Sequence, residues 1–184
     1  MDNGASSYRR YLDGDEDAFG EIVKEYFDKL VFFVNRYVKN LAAAEDIAVD
    51  VFAVLLIDKK KYNFRVSMKT YLFMMGRSRA LDYLKHQSKL QFVDLSEIAS
   101  VPSDDPLPEE RLLVDERRRR INEAISSLNT DMRLVIHLVY FEDLSCEEAA
   151  RVLKKNKKQV YNLLYRAKQA LRDLLGEEGE YISG

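Results

Sequence analysis

The sequence predicts an all-α protein built as two small helical domains joined by a flexible acidic linker. Three observations predict it. Seven glycines and three prolines in 184 residues, set among many Leu, Ala, Glu, Lys and Arg, favour helix over turn-rich β structure. Apolar residues recur at intervals of three and four through two long stretches. All three prolines, Pro102, Pro106 and Pro108, fall in one aperiodic segment, Leu90 to Arg111, mixed with Ser and Asp. The expected boundaries are 8–88, a linker at 89–111, and 112–176.

The first expected helix opens at Asp15, whose carboxylate can cap free backbone N–H groups. Phe19, Ile22, Val23, Tyr26, Phe27, Leu30, Val34, Tyr37 and Val38 then make one broad apolar stripe. A second helix is expected from about Leu41 to Ile57, with Ile47, Val51, Val54 and Leu55 on its inner side. A basic loop, Asp58 to Ser67, leads to a third helix from Met68 to about Gln87, with Leu72, Met75 and Ala80 or Leu81 facing inward. After the linker, Glu116 and the run Arg117–Arg120 precede Ile121, Ala124, Ile125 and Leu128. Asn129 caps a helix carrying Met132, Leu134, Val135, Leu138 and Val139.

The most specific local signal follows. Ser145-Cys146-Glu147-Glu148 has the form of a capping box, in which Ser145 accepts from the N–H of Glu148 and Glu148 reaches back. The short helix it starts ends in the polar turn Lys154-Lys155. A second helix begins at Asn156, with Gln159 three positions on and Val160, Leu163, Leu164, Ala167, Leu171 and Leu174 turned inward. Two helices joined by a short turn, the second basic at its N-terminus, make a helix-turn-helix whose second member fits the DNA major groove.

Charge supports the same partner. The net charge of −2 conceals two basic blocks. Asp58 to Lys89 holds nine Lys and Arg against two acids, and Ser145 to Arg172 holds eight against two. Between them, Gln91 to Glu116 carries eight acids and one Arg. Two basic blocks parted by an acidic connector point to two places that meet phosphate. Other classes are disfavoured. One cysteine, Cys146, allows no internal disulfide, and two histidines, His86 and His137, make a zinc cluster unexpected. His137 lies on an apolar face and reads as a core residue. No paired carboxylate, nucleophile–base set or phosphate-cradling glycine loop appears, so neither enzymatic activity nor a cofactor is expected. No apolar run reaches the roughly 18 residues of a spanning helix, so the expectation is a soluble cytoplasmic protein without membrane insertion.

Laid end to end, these segments resemble the sigma-70 superfamily, in its extracytoplasmic-function (ECF) group of RNA polymerase sigma factors. Ala44-Glu45-Asp46-Ile47-Ala48-Val49-Asp50-Val51-Phe52 resembles the motif that docks on the polymerase clamp. Tyr71-Leu72 through Arg77-Ser78-Arg79-Ala80-Leu81-Asp82-Tyr83-Leu84-Lys85 resembles the helix that reads and opens the minus-ten element. Leu144-Ser145 through Arg166-Ala167-Lys168 resembles the region 4 helix-turn-helix that reads the minus-thirty-five element. Against the family pattern, Val49 replaces Gln, Tyr71 replaces Trp, Ser78 replaces Asn, Lys154 replaces a turn glycine and Leu163 replaces an arginine.

The resemblance implies that residues 8–88 form the region 2 domain and 112–176 the region 4 domain. Glu45, Asp46, Asp50 and Phe52 would then dock on bacterial RNA polymerase core, although Glu45 and Asp46 also read as first-turn acids favoured by the helix dipole. In region 2, promoter DNA would meet Lys59, Lys60, Lys61, Tyr62, Asn63, Phe64, Lys69, Tyr71, Arg77, Arg79, Lys85 and His86. Here Lys and Arg hold phosphate and aromatic faces stack bases that leave the duplex. A second reading has Tyr62 and Phe64 covering the domain's apolar edge. In region 4 the implied DNA contacts are Asn156, Lys157, Lys158, Gln159, Tyr161, Asn162 and Arg166, near a helix N-terminus that attracts phosphate. An anti-sigma factor is implied as a further partner. The competing readings are a stand-alone helix-turn-helix regulator and a sigma-like decoy that binds a regulator without directing transcription.

Overall fold

The computed structural model describes residues 3–91 and 116–176, which fall in two units, 1–104 and 105–184. The described part of the first unit comprises α1 (Asn3–Leu12), α2 (Asp17–Val38), α3 (Leu41–Ile57) and α4 (Met68–Gln91). No described helix is long and apolar enough to cross a membrane.

The long helices follow the sequence. Asp15 Oδ1 accepts from the N–H of Ala18 at the start of α2, and Asn40 Oδ1 accepts from Ala43 N at the start of α3. Helix α2 buries Ile22, Tyr26, Leu30 and Val34 as expected, together with Ala18, Val31 and Phe33. Phe33 meets Phe73 of α4 edge-on at 4.8 Å. On α3, Ile47, Val51 and Leu55 are buried with Ala44, Ala48 and Phe52, whereas Val54 is half-buried. On α4, Leu72 and Ala80 are inside, Met75 is half-buried and Leu81 is exposed. Each large apolar side chain taken fully from water contributes about 1.5–3 kcal/mol. Gly76 lets α4 cross α2 closely, since a Cβ there would lie 2.7 Å from Leu30 Cδ1 and 3.1 Å from Val34 Cγ2.

Helix α1 is an element that the periodicity does not announce. It packs through Gly4, Tyr8 and Tyr11. A Cβ on Gly4 would lie 2.7 Å from the Tyr26 ring and 2.8 Å from Met68 Cβ, so α1 sits directly on α2 and on the first residue of α4. At the surface, Ser7 Oγ donates to Glu21 (2.7 Å), and Arg10 donates to both Glu21 (2.6 Å) and Asp15 (3.1 Å). Hydrogen bonds from Arg10 and then Ser7 hold the Glu21 carboxyl below the usual carboxylate range.

The described part of the second unit comprises α5 (Glu116–Ser127), α6 (Thr130–Ile136), a π-helical turn (His137–Phe141), α7 (Cys146–Leu153) and α8 (Lys157–Leu175). Asn129 caps α6 by accepting from Met132 N (2.9 Å). The helix does not continue as regular α. From His137 it widens, and Glu142 N–H donates to His137 O at 3.1 Å. His137 is buried, as its apolar setting predicts, with Nε2 3.6 Å from Glu142 Oε1. Arg119 and Arg120 are exposed. The expected linker lies outside the described residues except where α4 runs on to Gln91, and so do the tail acids Glu177, Glu178 and Glu180.

Candidate nucleic-acid and polymerase interfaces

The loop between α3 and α4 divides its residues sharply. Lys59, Lys60, Lys61, Asn63 and Arg65 are exposed. Tyr62 is 2% exposed, its hydroxyl donates to Val66 O at 2.6 Å, and its ring packs on Tyr8, Phe64 and Tyr71. In this conformation the Tyr62 ring lies within the apolar edge, which is the covering alternative. Phe64 is half-buried at φ 60, a left-handed backbone that disfavours a bulky side chain by about 1–2 kcal/mol. Its ring touches Tyr8 and Tyr62 and lies under the Arg9 guanidinium, 4.9 Å from the ring centre. Asp58 and Asn63 close local turns by accepting from Lys60 N and Arg65 N. Lys59 Nζ stands 4.4 Å over the Tyr11 ring. Tyr71 is half-buried, and burial, then Asp58, raises its phenol pKa.

Along α4, Arg79, Lys85 and His86 are exposed, Lys69 and Arg77 half-buried. Arg77 Nε is buried without a hydrogen-bond partner among the described residues. Arg79 reaches Asp50 of α3 at 4.0 Å, a distance at which an exposed pair contributes little. Ser78, Met74 and Leu81 share the outward side, so this face is basic but interrupted by apolar side chains.

On α3, Glu45, Asp46 and Asp50 point to solvent beside Val49, which is 55% exposed. The helix begins at Leu41 and has no acid in its first turn, so the helix-dipole explanation for Glu45 and Asp46 fails on position. Phe52 differs from its motif neighbours. It is buried at 5% and packs on Phe19 and Phe27, so in this conformation its ring belongs to the core. The exposed apolar residues near it are Leu56 and Ile57, the latter 82% exposed. Periodicity does not single them out, because the end of α3 is apolar on every side.

In the second unit the turn and both caps are as the sequence reads. Ser145 and Glu148 form a full capping box, and so do Asn156 and Gln159. Lys154 holds the αL position between α7 and α8 at φ 52, ψ 42. Lys157, Lys158, Tyr161, Asn162 and Arg166 are exposed along α8, while Leu163 is half-buried. Asn156 and Gln159 are also exposed, but each side-chain oxygen accepts from the other's backbone N–H at 2.8 Å. Arg166 makes no ion pair among the described residues. Tyr165, one turn beyond Tyr161, is 66% exposed. The spacing of four from Tyr161 is the signal that could have added it to the candidates. No group of three or more His, Cys, Asp or Glu placed to hold a metal occurs among the described residues.

Comparison with known proteins matches residues 22–90 to Sigma-70 region 2 and residues 118–171 to Sigma-70, region 4. The chain is 27% identical over 170 residues to the ECF RNA polymerase sigma factor SigW of Bacillus subtilis, covering 88% of this chain and 91% of the relative. It is also 27% identical over 170 residues to the ECF RNA polymerase sigma-E factor of Escherichia coli K12, covering 88% of each. Among solved structures, the sigma factor RpoE in complex with the anti-sigma factor NepR from Bartonella quintana shares the fold. It gives a TM-score of 0.64 at 21% identity over 86% of this chain and 97% of that one. CnrH in complex with the cytosolic domain of CnrY gives 0.59 at 20% identity over 94% of each chain. Helix α1 precedes the stretch matched to region 2.

Proposed function

The chain belongs to the sigma-70 family, in its ECF group, and we propose that it acts in the cytoplasm as a promoter-specificity subunit of bacterial RNA polymerase. Residues 8–88 would dock on the polymerase core and recognise and melt the minus-ten element, and residues 112–176 would read the minus-thirty-five element. The observation that carries this is the order of two sigma-type units in one chain, each with an exposed basic face. A stand-alone regulator has no use for the first of these.

Within that reading Glu45, Asp46 and Asp50, with Val49 among them, supply the polymerase face, and Phe52 supports it from the core. Lys59 to Lys61, Asn63, Phe64, Lys69, Arg77, Arg79, Lys85 and His86 track the opened strand, with Tyr62 and Tyr71 as the aromatic floor of the loop. Asn156, Lys157, Lys158, Gln159, Tyr161, Asn162 and Arg166 face the duplex. The chain has no catalytic centre of its own in this role, which requires binding and strand capture alone. An anti-sigma factor is a natural third partner, a reading supported by the RpoE relative having been solved with one.

The test is transcription in vitro with purified core polymerase on a pool of promoter fragments. Defined new start sites, each preceded by two spaced elements, are expected only when the protein is present. Polymerase binding without new starts would favour the decoy, and DNA binding without polymerase binding would favour the stand-alone regulator.

A further inference from the structure

Helix α1 is bound to both ends of the α3–α4 loop. At the entry, the Tyr8 hydroxyl, fully buried, donates to Leu55 O at 3.0 Å and lies 3.2 Å from Lys59 O. Tyr11 adds a longer hydrogen bond to Leu56 O at 3.4 Å. These carbonyls belong to the last turn of α3 and the first basic residue of the loop, where the helix itself leaves acceptors unmatched. At the exit, Gly4 lies against Met68, the first residue of α4. Between these anchors the Tyr8 ring packs on Tyr62 and Phe64. From the outside, the exposed Arg9 covers the Phe64 ring. Phe64 is the loop's left-handed residue, so a conformation that disfavours itself locally is enforced by residues more than fifty positions earlier in the chain.

We propose that Tyr8 and Arg9 are positioning residues for strand capture: α1 holds the segment Lys59–Phe64 in the shape that receives a displaced base, without touching DNA itself. The inference rests on the sigma reading of that loop. It assigns a role to a helix outside the matched region 2 stretch, and separates opening from docking. The acids of α3 keep their exposure whether or not the loop is held, so loss of the clamp affects melting and leaves polymerase affinity unchanged.

The experiment compares the full chain with its Tyr8→Phe and Arg9→Ala variants, each assembled with core polymerase on a promoter found by the transcription screen. Opening is followed by the fluorescence of 2-aminopurine placed in the minus-ten element, beside polymerase affinity and thermal midpoint. Tyr8→Phe keeps the ring and removes the donor to the two carbonyls, and opening is expected to fall about ten-fold at unchanged polymerase affinity. Arg9→Ala changes an exposed side chain, so it keeps the fold and is expected to lower opening in the same direction. Both variants opening DNA like the parent would overturn the proposal. So would an equal loss of opening and polymerase affinity in both, which marks a purely structural role. A parent protein that binds polymerase yet opens no promoter overturns the sigma reading instead, and the two failures are thereby distinct.

Discussion

Phe64 in the first unit and Lys154 in the second both hold a left-handed backbone, at φ 60 and φ 52, and neither is glycine. They are held in different ways. Lys154 is the C-cap of α7, a helix that Ser145 and Glu148 open nine and six residues earlier, and Asn156 and Gln159 open α8 two and five residues later. Its N–H donates to the carbonyls of Ala150 and Arg151 as the ordinary end of α7. Phe64 lies inside the local turn that Asn63 closes on Arg65 N. Its ring also packs on Tyr8 and Tyr62 and under Arg9, so α1 adds a distant support to the local one. The turn between α7 and α8 is held by its neighbours in sequence, whereas the α3–α4 loop draws on a distant helix as well.

The largest expected effect tests that dependence. Gly4→Ala would press a methyl group against the Tyr26 ring and Met68 Cβ, at 2.7 and 2.8 Å, and lift α1 away. A net loss of about 2 kcal/mol is expected after the gain in helix propensity. Hydrogen exchange read by mass spectrometry should rise in peptides from 3–91 and stay unchanged in 116–176. Faster exchange in both would break the contrast between the units.

The same substitution at Phe64 and Lys154 should go opposite ways. Lys154→Gly relieves the backbone and removes no packing, for a gain of about 1 kcal/mol. Phe64→Gly relieves the backbone as well, but deletes the ring that Tyr8, Tyr62 and Arg9 hold, and is expected to be a net loss of about 1 kcal/mol. Urea midpoints of the two variants check this, and a gain in both would mean that the contacts around Phe64 contribute little. Ser145→Ala removes a cap and should cost about 1 kcal/mol, confined to the second unit. It is measured by the same exchange experiment.

The smallest effect is a titration. Burial, with smaller contributions from Tyr11, Tyr71 and Asp58, pushes the Tyr8 phenol up to about 12. Its folded value lies above the unfolded one, so its contribution to stability is fully present below about 10 and is lost as pH rises from there through 12. Stability should therefore fall between about pH 10 and 12 more in the parent than in Tyr8→Phe, as followed by urea unfolding at each pH. Equal falls would place the alkaline sensitivity on other tyrosines.

This contrast also explains what the sequence made legible. Asn129, Ser145 and Asn156 are cap signals complete within four residues, and the helices they open stand where they were expected. The long stripe of α2 and the basic loop were readable for the same reason. Helix α1 was not, because its buried side has only Gly4, Tyr8 and Tyr11, and what makes that side useful is the α3–α4 junction some fifty residues later. Phe52 shows the same limit within the candidate site, and for Tyr62 the sequence offered both the contact and the covering reading without deciding between them. An aromatic residue in a functional motif reads as a contact, and only tertiary packing turns its ring inward. The π turn at His137 was invisible too, since its apolar residues suit a regular helix equally well.

The capping box of α8 has a consequence for the alphabet of bases it can address. Its reciprocal bonds use one lone pair of each side-chain oxygen of Asn156 and Gln159 and so fix where those amides point, while Lys157 and Lys158 offer donors alone. The leading turn is thus rich in donors. In the proposed promoter contact their complements are N7 and O6 of guanine, N7 of adenine, O4 of thymine and the phosphate oxygens, and the amino group of cytosine is left to the remaining lone pairs of Asn156 and Gln159. Further along the helix the exposed Asn162 adds an amide that is not tied into the cap, so the helix start has fixed amides and its next turn a freer one.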